Sequence, residues 1–174
     1  MHDVSIIVPL APGETAWTAL AQDCARLPAG VEIIFVSQRP PAGELGAAAM
    51  LSGTRYRLAW VRSEAGRARQ LNAGARAATR PFLWFVHADT RVTPHAIAPL
   101  AAALRRQPKA VHYFVLAFSA GPPLMWLNGL GVRWRSHCLG MPFGDQGLCR
   151  PSTLFKELGG FDESAPYGED HLFV

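Results

Sequence analysis

Asp89 is the residue with the clearest chemical potential in this chain, because it follows an apolar strand-like segment almost directly. Residues 82–86 read FLWFV, and residues 87–90 read HADT. A continuous apolar run of this length is typical of a strand covered on both faces of a parallel sheet. Ligands of open α/β sheets bind outside the carboxyl ends of such strands. A carboxylate there can meet a hard cation or a phosphate-bearing substrate, whereas the simpler alternative is an aspartate that only serves a turn.

Two more groups of polar residues near the C-terminal end could take part in chemistry. Asp145 and Gln146 stand between two glycines in the sequence GDQG, and glycines allow a ligand to approach the backbone closely. A tight turn explains the same pattern equally well. Glu169 and Asp170 follow the sequence PYG, and acids at a helix terminus can simply complement its dipole. The residue types alone leave both interpretations open.

The composition indicates a globular protein that binds small anionic ligands rather than nucleic acid. The 174 residues are enough for one domain with a sizeable core. Apolar residues make up 49% of the chain and charged residues 17%, which is typical of a folded protein. The formal net charge of +4 favours anionic ligands or a membrane surface. We predict no nucleic-acid partner, because no dense basic run or nucleic-acid-binding motif is present.

The cysteines and the apolar segments predict a cytoplasmic location. Cys24, Cys138 and Cys149 are far apart and form no C-x-x-C pair, so reduced thiols are expected. No stretch approaches the roughly 20 apolar residues that a membrane span needs. The N-terminal segment lacks the basic region and the full apolar region of a signal peptide. We therefore predict a cytoplasmic protein, with peripheral attachment to a membrane as a further possibility.

Strand-like and helix-like segments alternate along the chain. Strands are predicted at residues 4–10, 31–36, 56–61, 82–86 and 110–117. Helices are predicted at residues 15–27 and 45–53, from a cap at Ser63 to about Ala78, at 94–106 after Thr93, at 124–139, and at 153–158 after a cap at Ser152. This alternation predicts an α/β sandwich with a largely parallel sheet.

The segment at residues 124–139 differs from the other predicted helices. One face would carry leucines and tryptophan, with Arg133 and Arg135 beside them. Such a helix can lie on a membrane surface or form a homodimer contact. A stripe of this kind more often packs on the protein's own core, and we expect that outcome here.

The ordered series of motifs resembles family 2 glycosyltransferases. The series comprises VSIIVP, EIIFV, GRARQLNAG, FLWFVHADT, GDQG, LGGFDE and GED, and it runs from Val4 to the end of the chain. The HADT and GDQG forms are similar to the subgroup of the arsenosugar-biosynthesis type. The resemblance implies the glycosyltransferase-A fold, a Rossmann-like three-layer α/β/α sandwich. It also implies transfer of a sugar from a nucleoside-diphosphate donor to an acceptor hydroxyl, with inversion and with Mg²⁺ or Mn²⁺.

The resemblance also assigns roles to individual residues. Asp89 falls on the last acid of the family's Asp-x-Asp motif and would bind the metal on the donor diphosphate. Asp170 would be the general base, supported by Glu169, while Asp145 and Gln146 would line the acceptor side. The expected donor-binding residues are Pro9, Ser37, Gly66, Arg67, Arg69, Asn72, His87 and Asp89.

Several positions depart from the family pattern. His87 replaces the first acid of Asp-x-Asp, and it either contacts the donor or is a strand-end histidine with its own partner. Residues 37–40 read SQRP where the family has acids that help to recognise the base. Residues 10–14 read LAPGE where the family has Asn-Glu. The nucleotide base and the acceptor therefore stay open.

The C-terminal end bears on activity. The chain ends at Val174, four residues after Asp170, whereas family members generally continue further. We expect one domain at residues 1–174 that lacks the C-terminal elements of the family. The alternative function is a catalytically impaired protein of this fold that binds a nucleotide sugar, a partner or a membrane.

Overall fold

The computed structural model describes residues 3–39, 56–115, 125–142 and 144–164. The strands are β1 (Val4–Pro9), β2 (Glu32–Ser37), β3 (Arg57–Arg62), β4 (Phe82–Phe85) and β5 (Cys149–Pro151). The helices are α1 (Trp17–Cys24), α2 (Arg67–Ala77), α3 (Pro94–Arg106), α4 (Met125–Cys138) and α5 (Ser152–Glu157), and a 3-10 turn covers Gly144–Gln146. The predicted helix at 45–53 lies outside the described residues.

The five strands form one mixed sheet in the order β3-β2-β1-β4-β5 among the described residues. The first four strands are parallel, and β5 pairs with β4 in the antiparallel direction. The chain moves outward from β1 to β3 and then returns to β4 on the other side of β1. The carboxyl ends of β1 and β4 therefore flank the topological switch point, where ligands bind in open α/β sheets.

Alternating side chains along the strands produce two apolar layers. Ile6 and Phe35 point to one face of the sheet and pack with Leu20 of α1 and Leu100 of α3. On the other face, Ile7, Ile34 and Phe85 pack with residues of α2 and α5, including Leu71 and Phe155. Successive strand residues point to opposite faces, and covering both faces explains why the strand sequences are almost uniformly apolar. The predicted three-layer α/β/α architecture is confirmed.

The predicted strand at 110–117 is wrong in the described part, which ends at Val115. The backbone there pairs with the β5 side through a bridge between His112 and Cys149 and a hydrogen bond of 2.8 Å from the Phe114 N–H to the Gln146 carbonyl. The partner strand β5 is only three residues long. It cannot extend toward its N-terminus, because Gly147 has a φ of +64° and a 3-10 turn precedes it. A regular ladder therefore has no partner to form on.

Two predicted helix caps are also wrong. Helix α2 begins at Arg67, and its N-cap is Gly66 rather than Ser63. The Ser63 N–H instead donates to the Ser37 carbonyl at 3.0 Å, which extends the pairing of β2 with β3. Ser152 lies within the first turn of α5, and its N–H donates to the Pro81 carbonyl at 2.8 Å. The N-cap residues are Gly66 and Pro151, and neither makes a side-chain cap hydrogen bond.

Helix α4 forms where the sequence predicts it, but its apolar side chains do not join the core. The exposed fractions of Leu127, Leu130 and Trp134 are 48%, 53% and 59%. Leu139 and Met141, just after the helix, are also exposed. The expectation that this face packs on the protein's own core is therefore wrong. Among the helices that the structure describes, none is long and apolar enough to cross a membrane.

Candidate active site

Two adjoining cavities open at the carboxyl edge of the sheet. The larger has a volume of about 800 Å³ and lies beyond the ends of β1, β2 and β3. The smaller has a volume of about 330 Å³ and lies between the ends of β1 and β4 and the start of α2. The residues shared by both walls are Ala11, Pro12, Glu14 and Gln38. The two cavities together form a continuous cleft at the topological switch point.

Asp89 lines the smaller cavity, together with Pro9 and His87. Its side chain is exposed, and within the described ranges the structure gives it no hydrogen bond or ion pair. A free carboxylate in a cleft can bind a hard cation, which takes oxygen ligands. No group of three or more acidic, histidine or cysteine side chains is assembled among the described residues. A single carboxylate, that of Asp89, is enough for Mg²⁺ or Mn²⁺ when water and substrate phosphate supply the other ligands. Such ions use few protein ligands at phosphate sites.

The loop that carries Asp89 is anchored two residues further along the chain. Arg91 donates to both carboxylate oxygens of Asp23 in α1, at 2.7 and 2.8 Å. The Val92 N–H donates to the same carboxylate at 3.2 Å. The hydrogen bond from Arg91 is the main cause that lowers the pKa of Asp23 below its ordinary value, and burial opposes it. The loop is thus attached to α1 by a charged pair, while Asp89 itself stays available.

The start of α2 forms another wall of the smaller cavity. Gly66 has a φ of +123°, a backbone conformation that residues with a Cβ rarely adopt. This turn places the first turn of α2 beside the cleft, and the N-terminus of a helix favours an anion. Arg67 donates a hydrogen bond to Nε2 of His87. This contact connects α2 with the loop after β4.

Ser37 and its neighbours line the larger cavity. Ser37 ends β2 and is buried, and Gln38, Arg39 and Arg62 follow the ends of β2 and β3. Sequence analysis named Ser37 but missed the other three as lining residues. The signal was available, because each of them stands at the carboxyl end of a predicted strand. Gln70, also missed, donates to the Leu10 carbonyl at 2.9 Å and attaches α2 to the loop after β1.

Arg69 and Asn72 lie outside both cavities. Arg69 pairs with Glu64 at 3.0 Å in a third cleft, which shares Arg62, Ser63 and Glu64 with the larger cavity. The buried Asn72 amide donates to the Phe161 carbonyl at 2.9 Å and to Glu163 at 2.8 Å. Its oxygen accepts the Phe161 N–H at 2.9 Å. Neither residue is among those that line the two cavities.

Asp145 and Gln146 lie in the 3-10 turn before β5, also away from the two cavities. Gln146 is buried, accepts from the Ser136 hydroxyl at 2.9 Å and donates to the Phe114 carbonyl at 3.1 Å. One carboxylate oxygen of Asp145 is buried without a hydrogen-bond partner among the described residues. Buried polar atoms of this kind usually have a partner, so this oxygen has capacity for a further donor. Glu169 and Asp170 lie outside the described residues.

The buried thiols are unsuited to nucleophilic chemistry. Cys24 and Cys149 are buried, and Cys138 is exposed. Burial raises the pKa of both Cys24 and Cys149 to about 12. Both therefore stay protonated at neutral pH, and the thiolate is the reactive form. The chemistry of the described site depends on oxygen and nitrogen groups.

Comparison with solved structures shows the fold. S. aureus TarS 1-349 aligns with a TM-score of 0.71 and 18% identity, over 98% of this chain and 53% of that chain. The same protein in complex with UDP-GlcNAc aligns with a TM-score of 0.68 and 18% identity, over 98% and 52%. The mannosyltransferase PcManGT from Pyrobaculum calidifontis, in complex with GDP-Man and Mn²⁺, aligns with a TM-score of 0.69 and 19% identity, over 98% and 50%. This chain spans about half the length of these relatives.

Comparison of sequences identifies the family. No protein among the curated ones matches this chain. The family model described as "Glycosyl transferase family 2" matches residues 13–151, which is most of the chain. This range contains the loop with Asp89, the GDQG turn and most of the residues that line the two cavities. The fold is the glycosyltransferase-A fold of the solved relatives, and the chain belongs to glycosyltransferase family 2.

Proposed function

We propose that this protein transfers a sugar from a nucleoside-diphosphate donor to an acceptor hydroxyl, with inversion and with Mg²⁺ or Mn²⁺. The observation that carries the proposal is the free Asp89 carboxylate at the switch point, beside the start of α2. Family membership supports it. Structural neighbours have been solved with UDP-GlcNAc and with GDP-Man and Mn²⁺. The HADT and GDQG motifs further suggest the subgroup of the arsenosugar-biosynthesis type.

The donor diphosphate would lie in the smaller cavity. Asp89 would bind the metal, which neutralises charge on the departing diphosphate when it is bound. The backbone N–H groups at the start of α2 and the Arg67 guanidinium would contact phosphate oxygens. His87 would orient Arg67 through their hydrogen bond. Pro9 and Ser37 would flank the donor at the ends of β1 and β2.

Asp170 would act on the acceptor. It would take the proton of the acceptor hydroxyl as the new bond forms between that oxygen and the anomeric carbon. The bond from the anomeric carbon to the diphosphate oxygen breaks, and the nucleoside diphosphate leaves. Attack from the side opposite the leaving group inverts the anomeric centre. Glu169 would support Asp170, and the unpaired oxygen of Asp145 would accept a hydrogen bond on the acceptor side.

Gln146, Arg69 and Asn72 would support this chemistry from a distance. Gln146 would position the acceptor side by connecting α4 to the segment at Phe114. Arg69 would act on the donor side through its pair with Glu64, which lines the larger cavity. Asn72 would act through its contacts with Phe161 and Glu163.

The test of this proposal is metal-dependent binding of nucleoside diphosphates. In calorimetry with Mn²⁺ and either UDP or GDP, Asp89→Asn should weaken binding at least about tenfold, because it removes a charged ligand of the metal. Glu157→Gln removes an exposed acid in α5 and should leave binding unchanged. Asp170→Asn should keep donor binding but stop the release of nucleoside diphosphate. Unchanged binding in Asp89→Asn would refute the metal assignment.

The alternative, a catalytically impaired binding module, makes a different prediction. A panel of nucleotide sugars can be screened by thermal shift with and without Mn²⁺. Stabilisation by a donor only with Mn²⁺ supports the transferase, because a ligand of the native state raises the melting temperature. Stabilisation by no donor favours a module that acts through α4.

The exposed face of α4 supports a second proposal, a peripheral contact with an anionic membrane surface. Leu130 and Trp134 are more than half exposed, and Arg133 and Arg135 lie beside them. The helix contains no acidic residue. A purely cationic, apolar face suits anionic lipid, whereas a homodimer through this face would bring like charges together. Co-sedimentation with anionic vesicles should fall in Leu130→Glu and persist in Leu158→Glu, which alters an exposed leucine after α5. A dimer in gel filtration would contradict the lipid contact.

A further inference from the structure

We infer that the ion pair of Asp23 with Arg91 positions the Asp89 loop and thereby sets the affinity of the donor site for its divalent metal. The inference rests on the proposed function, in which Asp89 binds the metal. The Asp89 loop comprises residues 86–92, between β4 and α3. Neither Asp23 nor Arg91 is among the positions that the sequence assigns to catalysis or binding, and neither lines the two cavities.

The Asp89 loop begins with a backbone contact to the centre of the sheet and then turns. The Val86 N–H donates to the Ile7 carbonyl of β1 at 3.0 Å. The Thr90 N–H donates to the His87 carbonyl at 3.1 Å, and this bond closes a turn that contains Asp89. The Asp89 side chain is exposed, and within the described ranges it has no partner of its own. The direction of its carboxylate therefore depends on the backbone of this turn.

The ion pair holds the loop just beyond this turn. Arg91 binds both carboxylate oxygens of Asp23, through Nε at 2.7 Å and through Nη2 at 2.8 Å. Such a bidentate contact fixes orientation as well as distance. The Val92 N–H donates to the same carboxylate at 3.2 Å. One carboxylate of α1 thus makes three contacts with two consecutive residues, the first of which lies two positions after Asp89.

The location of Asp23 is explained by these contacts and not by its own helix. Asp23 lies in the last turn of α1, where the helix dipole disfavours an acid. It is only 5% exposed, and a buried carboxylate is unfavourable unless charged or hydrogen-bonding groups compensate it. The loop supplies these groups. Helix α1 therefore carries an acid whose local cost is offset by its contact with the Asp89 loop.

A metal that is bound by one protein carboxylate is sensitive to the direction of that carboxylate. In the proposed site Asp89 is the protein ligand, and water and substrate phosphate complete the coordination. Groups that hold a metal ligand in place typically contribute about ten- to a hundredfold to metal affinity. The ion pair acts on Asp89 through the backbone, so we expect an effect at the lower end of this range.

The experiment compares the whole chain with Arg91→Gln in calorimetric binding of UDP and GDP, with Mn²⁺ and with EDTA. The variant should fold, because Val92 is buried and its N–H keeps the Asp23 carboxylate as partner. Binding with Mn²⁺ should weaken about tenfold, and binding in EDTA should not change. Removal of a cation would by charge alone strengthen Mn²⁺ binding, so weaker binding indicates positioning. Equal losses with Mn²⁺ and with EDTA would overturn the inference, since they would indicate a direct contact with the nucleotide.

Arg57→Gln is the matched control, because Arg57 pairs with the buried Glu32 at 3.1 Å. The side chains of Arg57 and Arg91 are 55% and 60% exposed, and those of their partners 0% and 7%. Glu32 and Arg57 are the first residues of β2 and β3, at the edge of the sheet opposite the cleft. The control should lower the denaturation midpoint by a similar amount and leave Mn²⁺ binding unchanged. Equal losses of Mn²⁺ affinity in both variants would indicate general destabilisation and contradict the inference.

Hydrogen exchange in the metal-free chain gives a readout that needs no ligand. In Arg91→Gln the amide of Thr90, which closes the turn, should exchange faster than in the unaltered chain. The amide of Val86, at the start of the loop, should not change. Unchanged exchange at Thr90 would show that the turn is held without the ion pair, and the inference would then be wrong.

The outcomes separate this inference from the proposed function. If Asp89→Asn weakens Mn²⁺-dependent binding and Arg91→Gln does not, the metal assignment stands and the positioning role is wrong. If no nucleoside diphosphate binds with Mn²⁺, both are wrong. A loss in Asp89→Asn and in Arg91→Gln, with none in Arg57→Gln, supports both.

Discussion

Helices α2 and α4 both contain glycine, and the surroundings of these glycines differ completely. A Cβ added at Gly74 of α2 would lie 2.4 Å from Cγ2 of Ile7 and 3.0 Å from Cγ2 of Val36. A Cβ added at Gly129 or Gly131 of α4 would meet no described atom within 4 Å. In α2 the glycine permits close contact with the centre of the sheet, whereas in α4 it lies in open space.

The difference shows how firmly each of the two helices is attached to the rest of the protein. Helix α2 is pressed onto β1 and β2, so its first turn, at Gly66 and Arg67, has a position that the core determines. The described contacts of α4 include two of Ser136, its hydroxyl with Gln146 at 2.9 Å and its carbonyl with the Tyr113 hydroxyl at 3.1 Å, and a ring contact of His137 with Tyr113. The donor side is therefore shaped by the protein's own packing, and the face of α4 is left for contact with something else.

Among the glycine substitutions, the larger loss of stability is expected for Gly74→Ala. The added methyl group collides with Ile7 in the tightly packed layer, and overpacking of this kind costs about 1–3 kcal/mol. The higher helix propensity of alanine offsets less than about 1 kcal/mol. Urea unfolding measures the difference. Gly131→Ala, the matched change in α4, should be neutral or stabilising by up to about 1 kcal/mol. Similar losses in both variants would contradict the contrast between the helices.

A second loss of stability on the side of α2 is expected for Asn72→Ala. This change leaves the N–H and carbonyl of Phe161 without their partner in a buried place, at a cost of about 2 kcal/mol. Ser136→Ala, which removes the contact of α4 with Gln146, should cost about 1 kcal/mol. Denaturant midpoints compare the two variants. A larger loss for Ser136→Ala would mean that α4 is the more firmly attached helix.

The sequence predicted the parts of this structure that depend on local pattern. Apolar runs identified β1 to β4, and the rule for strand ends brought Pro9, His87 and Asp89 to one edge. The sequence could not identify contacts between distant positions, such as Asn72 with Phe161, which are 89 residues apart. The start of α2 and the missing strand after Ala110 also depend on such contacts, at Ser37 and Gly147. The amphipathic pattern of α4 predicted a helix, but it could not identify what covers the apolar face of that helix.

The Asp23–Arg91 pair gives the donor side a dependence on pH. Because the pKa of Asp23 is lowered in the folded protein, its stabilising charge is fully present above the ordinary value of 3.8. The contribution is lost as pH falls through the lowered value. The Arg91 side chain is 60% exposed, so solvent screening keeps this contribution to stability small. Asp23→Asn should lose this stability at neutral pH and flatten the acid limb of a stability profile. An unchanged acid limb would show that the pair does not contribute.

The smallest change in the free energy of unfolding is expected for Leu130→Gln on the outer face of α4. The side chain is 53% exposed, so the free energy of unfolding should change by less than about 0.5 kcal/mol. Leu71→Ala, in the buried face of α2, should cost about 2–5 kcal/mol, because it leaves a cavity against the sheet. The pair of urea curves therefore tests whether the apolar side chains of α4 belong to the fold. A loss above 1 kcal/mol in Leu130→Gln would mean that they are covered in solution, by lipid or by a second copy.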